Sequence, residues 1–266
     1  MSIAFVSTMN QKLYDLYGKR FIEEFALFAD KNIKLFVIFE GKVPEEIISK
    51  NHNILIIPLL NEKHNKFFKF FGSLYEARGL KVSIFQEKGQ QKINVSSDYK
   101  FDAIRFSFKP FSIQQSLDYL PDKLDYLIWT DADLRRKKNL FEKDLLNFLP
   151  EKEQLMSYLG RKDSYSECGF LGFNLRHPEF YNFINRVINI YITGEIFSLK
   201  EWHDSWIWDH VRMEFEEKNN LFKNISGKGF EHHHPFINSG LEKFFDHLKG
   251  PVRKKEGQSS NKDYIN

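Results

Sequence analysis

Three short apolar runs, separated by a segment of helical periodicity, open the chain, and no other feature limits the fold as strongly. Ile3 to Ser7, Ile33 to Phe39 and Ile54 to Leu60 have the length and apolar character of buried strands. Between the first two, Leu13, Leu16, Tyr17, Phe21, Phe25 and Phe28 recur every three or four residues, as on a helix with one buried face. Pro44 to Lys50 fits a short helix before the third run. A strand–helix–strand–helix–strand order favours a mostly parallel sheet with helices on its faces. The expected class is therefore α/β.

The rest of the chain reads with less regularity. A helix is expected over Phe67 to Arg78, then loops to residue 100, with Gly72, Gly79 and Gly89 as breaks. Pro110 to Tyr119 reads as a helix with proline near its start. Asp125 to Thr130 reads as a buried strand, Leu140 to Phe148 as a helix closed by Pro150, and Gln154 to Leu159 and Phe170 to Asn174 as short strands. Pro178 to Tyr191 and Asp204 to Glu217 are the last expected helices. With 266 residues, 42% apolar, no internal repeat and no evident linker, the chain fits a single domain over residues 1–252 and a basic, polar and mobile tail over 253–266. Several of the 28 phenylalanines are expected in the core, and some at a site that stacks on bases or sugar rings.

A net charge of +3 argues against broad nucleic-acid binding and suits a local pocket for an anionic ligand. One cysteine, Cys168, cannot form an internal disulfide. The opening MSIAFVST lacks the features of a secretion signal, and no apolar run has membrane-spanning length. These readings lead to the expectation of a cytoplasmic protein with at most peripheral contact at the inner face of the membrane.

The segment Asp125-Tyr126-Leu127-Ile128-Trp129-Thr130-Asp131-Ala132-Asp133 carries the most chemistry. An apolar strand runs directly into two carboxylates one residue apart. Ligands of open α/β sheets bind at the carboxyl ends of strands, and two carboxylates there can hold a hard divalent cation. The same triplet can also begin a surface turn; the buried strand before it favours the cation. Near the C-terminus, His247-Leu248-Lys249-Gly250-Pro251-Val252-Arg253-Lys254 supplies complementary parts. A neutral imidazole can complete a metal shell, glycine permits close backbone approach, and Arg253 or Lys254 can pair with a diphosphate. Alone, the segment also reads as a surface histidine before a basic tail.

Together these two segments resemble the GT-A type of glycosyltransferase, a nucleotide-diphospho-sugar transferase fold with a mostly parallel central sheet flanked by helices. The second is similar to the H-x-x-G-x-x-K signature of galactosyltransferase- and glycogenin-like enzymes: His247 and Gly250 match, and Arg253 stands at the lysine position with Lys254 beside it. The resemblance implies a hexosyltransferase-like enzyme. It implies Mn²⁺ or Mg²⁺ held by Asp131, Asp133 and His247, with Ala132, Gly250, Arg253 and Lys254 at the nucleotide diphosphate. The implied partners are a nucleotide-sugar donor, first of all a UDP-sugar, and a glycan acceptor, as in surface polysaccharide synthesis. Ser7, Thr8 and Asn10, after the first strand, would receive the nucleoside, although they also suit a polar turn.

Other residues are candidates with a structural alternative beside each. Arg105 and Lys109, four apart, could meet the diphosphate or the donor sugar from one helix face, or be solvated charges. Asp204, in the aromatic segment Trp202 to Asp209, could serve as a general base toward an acceptor hydroxyl or orient the donor sugar; it could equally cap a helix. Glu167 to Asn174 could line the sugar pocket or form a bulged core strand. His232, His233 and His234 suit a structural or acceptor-side role better than a metal cluster, and Cys168 suits burial. Two other enzyme classes fit less well. Sugar nucleotidyltransferases carry a glycine-rich basic loop after the first strand, and Ser7 to Asp15 has no glycine. Phosphatases of the haloacid dehalogenase type carry their D-x-D near the N-terminus. A non-catalytic carbohydrate- or nucleotide-binding protein on the same fold is the non-enzymatic alternative.

Overall fold

The strand Ile3–Met9 (β1) is buried on both faces, which is why it reads as an unbroken apolar run. Ala4 and Val6 enter one core, while Ile3 and Phe5 enter another. In the computed structural model, residues 2–47, 52–87, 90–121, 124–216 and 220–265 are described. After β1 the chain runs through α1 (Gln11–Leu13), a π-helical turn (Tyr14–Gly18) and α2 (Lys19–Phe28). It returns through β2 (Lys34–Phe39) and β3 (Ile54–Pro58). The helix expected over 44–50 is a 3₁₀ turn at Glu45–Ile47; residues 48–50 lie outside the described residues, as do Gly89 and Glu217.

The next segment departs from expectation. The helix is α3 (Glu62–Phe71), started by the Asn61 side chain accepting from the His64 amide and stopped at Gly72. Residues expected as loops form a hairpin, β4 (Leu80–Glu87) with β5 (Gln90–Ser97). α4 (Ala103–Ser116) begins seven residues before its expected start, because Asp102 caps it by accepting from the Arg105 amide. Pro110 therefore sits inside the helix, not at its start, and Arg105 and Lys109 lie within α4, one turn apart.

β6 (Tyr126–Thr130), β7 (Leu134–Arg136), α5 (Glu142–Leu145), β8 (Met156–Arg161) and β9 (Ser164–Asn174) follow. Then come α6 (Phe180–Ile192), α7 (Asp204–Glu216), β10 (Phe222–Asn224), β11 (Phe245–His247) and α8 (Pro251–Glu256). The central sheet has the order β10-β8-β9-β6-β1-β2-β3, and β9 alone among its seven strands runs against the others. On one face α3, α4, α6 and α7 cover Phe67, Phe111, Phe173, Phe183 and Trp208; on the other, α2 and the 236–245 segment cover Phe5, Phe25 and Phe245. Each fully buried phenylalanine contributes on the order of 1.5–3 kcal/mol by leaving water.

Two consequences position the site. β1 leaves toward β2 and β3 on one side and pairs with β6 on the other, so the strand order reverses between β1 and β6. Crevices form at the carboxyl ends of strands at such a point. Residues 253–265, expected as part of a mobile tail, are packed against the body here. Ser259 donates from its amide and hydroxyl to the buried Asp246 (2.8 and 2.5 Å), Arg253 grips the buried Asp263, and Arg135 donates to the Gly257 carbonyl (2.7 Å). Among the described residues, no helix is long and apolar enough to cross a membrane.

Candidate functional site

A cleft of about 720 Å³ opens at the carboxyl ends of β1 and β6. Thr8, Arg105, Lys109, Asp131, Ala132, Asp133, Asp204 and Lys254 all line it. A larger cleft, about 1390 Å³, lies at the opposite end of β6 around Asp125, Glu151 and Arg176, and none of Asp131, Asp133, His247, Lys109, Asp204 or Lys254 lines it. The chemistry therefore selects the smaller one.

The pleat decides which end-of-strand residues reach it. Thr8 faces the cleft, donating to the Ile38 carbonyl (2.8 Å) and to Glu40 (3.3 Å). Ser7, its neighbour on the opposite side of the strand, is fully buried and does not reach the cleft. Asn10 takes its place, donating to Glu40 (3.0 Å). Burial pushes the Glu40 carboxyl up to about 7, against the pull of these two donors.

Two carboxylates and one imidazole converge at the floor. The Trp129 indole holds Asp131 Oδ1 at 3.0 Å. Antiparallel pairing of β7 with β11 places His247 opposite Leu134, one residue from Asp133. His247 Nε2 is 3.3 Å from Asp133 Oδ1 and 4.0 Å from Asp131 Oδ2. One ligand atom from each of Asp131, Asp133 and His247 lies within 4.8 Å of the other two. Lys254 Nζ is 2.7 Å from Asp133 Oδ2. Burial opposes charge on Asp133, but His247 and Lys254 outweigh it and hold the carboxyl well below its usual range. The π-helical turn sets Tyr17 beside this group; burial, then Asp133 and Asp131, push its hydroxyl far up. Such turns recur at functional sites.

Glu167 on β9, behind His247, had no residue-level signal of its own. Its Oε1 meets His247 Nδ1 at 2.7 Å and its Oε2 meets His234 Nδ1 at 3.2 Å. His234 Nε2 in turn reaches the His247 carbonyl at 3.2 Å. Of the three adjacent histidines only His234 enters this network; the His232 and His233 rings lie against each other at 4.2 Å, tilted by 34°. Desolvation lowers the basicity of His247, yet Asp133 and Glu167 raise it to about 10. Gly169 is required here, since a Cβ would lie 2.9 Å from the His247 ring. Gly250 adopts φ +84°, which favours glycine, with open space around it.

On the opposite wall, α4 presents Lys109, buried and bound three ways: to Asp131 (3.2 Å), Asp204 (2.5 Å) and the Cys168 carbonyl (2.8 Å). Burial would neutralise it, but the two aspartates hold it charged. Asp204 opens α7 and is not its cap; His203 Nδ1 accepts from the Trp206 amide. Desolvation resists charge on Asp204, and Lys109 overcomes it, keeping the carboxyl below its usual range. Arg105 is exposed at the rim. Arg253 does not reach the cleft: its guanidinium is committed to Asp263 and the Lys249 carbonyl.

No known protein family and no curated protein matches this chain in sequence. Among solved structures it resembles a glycosyltransferase involved in the glycosylation of the major capsid of PBCV-1, with TM-score 0.51 and 10% identity over 96% of this chain and 98% of that one. Mouse xyloside xylosyltransferase 1 gives TM-score 0.46 at 12% identity, over 84% of this chain and 85% of that one. GlyE of Streptococcus pneumoniae gives 0.49 at 14%, over 85% of this chain but only 46% of that one. The fold is thus one shared with a solved glycosyltransferase: α/β, with a mostly parallel sheet flanked by helices.

Proposed function

We propose that this chain is a metal-dependent glycosyltransferase that moves a sugar from a nucleoside-diphosphate sugar to a hydroxyl of a glycan acceptor. The observation that carries the reading is the convergence of Asp131, Asp133 and His247 beside Lys254, at the strand-order reversal of a glycosyltransferase fold.

The residues suit a divalent cation. Asp133 Oδ1 is buried and, among the described residues, no donor meets it in hydrogen-bond geometry, although His247 Nε2 is 3.3 Å away. A cation there would meet that oxygen directly, in place of the imidazole contact. Carboxylate oxygens suit both Mn²⁺ and Mg²⁺, and the imidazole tips the set toward Mn²⁺. Bound by Asp131, Asp133 and His247, the ion would neutralise charge on the leaving diphosphate.

The protein's own groups supply the rest. Lys254, not Arg253, is the cation poised for the diphosphate, with Arg105 at the rim as a second. Thr8 and Asn10 offer polar contacts to the nucleoside. Asp204 is better suited to orienting a sugar hydroxyl than to general-base catalysis, because its pairing with Lys109 lowers its basicity. UDP is the first nucleotide to test, and a surface polysaccharide the first acceptor class. Calorimetric titration with UDP, with Mn²⁺ and then with chelator, tests the reading on wild type and Asp133→Ala. The expected result is metal-dependent binding that the variant loses. Absence of binding by any nucleoside diphosphate, with metal or without, overturns it.

A further inference from the structure

The hairpin β4–β5 carries an apolar face that nothing among the described residues covers. In its register Val82 pairs with Val95 and Ile84 with Ile93, so these four side chains share one face. They are 47%, 55%, 66% and 69% exposed. An isolated two-stranded hairpin is marginal in water, and an exposed apolar face of this kind marks an interaction site. The exposure extends beyond the hairpin. Among the described residues, eleven of the 23 large apolar side chains that stand exposed lie between Leu60 and Tyr99, including Phe70, Tyr75 and Phe85.

Charge decides the occupant. Residues 60–100 hold eight Lys or Arg against four Asp or Glu, a net +4 in a chain whose total is +3. The chain's whole positive excess therefore coincides with its richest exposed apolar segment. A second copy of the chain would bring like charges together. Four side chains also fall far short of the roughly 20–30 residues per side of a stable protein interface. An anionic lipid surface satisfies both features, taking apolar side chains below its headgroups and lysines among them.

We propose that α3 and the β4–β5 hairpin form a docking surface for an anionic phospholipid bilayer. The root of the hairpin is fixed to the body. The Asp98 amide donates to the Gly79 carbonyl (2.8 Å), Arg78 donates to the Gly72 carbonyl (2.6 Å), and Lys81 lies 5.3 Å from the Phe101 ring centre. Phe68, Arg78 and Asp102, around that root, also line the cleft. Docking would hold the mouth of the cleft at a defined distance from the membrane, whatever reaction it performs.

Co-sedimentation of the full chain with vesicles tests this. The wild type should pellet with vesicles of phosphatidylglycerol and phosphatidylcholine in equal parts, remain in solution with phosphatidylcholine alone, and release as salt rises. Ile84→Ser with Ile93→Ser, and separately Lys66→Glu with Lys69→Glu on the exposed side of α3, should each weaken binding roughly tenfold or more, with thermal unfolding unchanged. Wild type that stays in solution with anionic vesicles overturns the proposal. So does undiminished binding by the serine variant, or equal binding to both lipid mixtures. A wild-type dimer in sedimentation velocity that the serine variant abolishes would assign the face to a second copy instead.

Discussion

Glu167 uses both carboxylate oxygens to hold imidazoles, one of them the histidine that faces Asp131 and Asp133. Burial alone would favour its neutral form; His234 and His247 reverse this and keep it well below the usual carboxylate range. A carboxylate behind a ligating histidine fixes its ring and tautomer, and losing one typically weakens metal affinity about 10–100-fold. Glu167→Gln keeps the shape but can accept through only one oxygen. Mn²⁺-dependent UDP binding should therefore weaken by a factor of that order, while circular dichroism remains native. Equal affinity in calorimetry would mean that Glu167 only fills space. Sequence showed Asp131, Asp133, His247 and Lys254 because each stands in a recognisable local pattern. Glu167 has none, since its partners lie 67 and 80 residues away.

At the scale of elements, the contact of α3 with α4 carries a titratable group of its own. His64 Nε2 is 3.0 Å from Ser107 Oγ, which gives its own proton to the Ile104 carbonyl (2.7 Å). The hydroxyl therefore accepts from a neutral imidazole packed against Phe108 and Phe111. Burial lowers the His64 pKa from 6.5 to about 4. Between these values the unfolded chain binds a proton that the folded chain does not. The stabilisation is complete above about pH 6.5 and is lost as pH falls toward about 4, by at most about 3 kcal/mol. Urea unfolding across this range should show a shallower pH dependence for His64→Gln than for wild type. Parallel curves would show that His64 is not buried neutral. The hairpin and the start of α4 were less legible. Period-two alternation is present only in Lys81 to Ile84, and lysine, serine and glutamine outnumber apolar residues around it. Pro110 reads as a helix start only until the cap at Asp102 is known.

At the scale of the whole molecule, the C-terminal segment closes the site. β11 brings His247 beside Asp133, and α8 delivers Lys254 while Ser259 and Asp263 lock the segment onto the body. Deleting residues 251–266 removes Lys254 and leaves Asp246 without its Ser259 donors. An unsatisfied buried acceptor costs about 1–3 kcal/mol, more when charged. The truncated chain should melt several degrees lower and lose metal-dependent UDP binding, whereas Lys254→Ala should lose binding with little change in melting temperature. Unchanged melting and affinity in the truncation would make the segment an appendage.

The sequence by itself determined the parallel core, because strands buried on both faces must be apolar at every position. It also marked the two segments whose residues meet at the cleft, because carboxylates following a buried strand have few other placements. Only the tertiary structure decided which basic residue enters the cleft. Arg253 and Lys254 are adjacent in sequence and alike in charge, but the buried carboxylate of Asp263 holds the first and Asp133 the second. It also turned Ser7 inward and Thr8 outward, and set Glu167 behind His247, since pairing across distant segments leaves no mark in local composition.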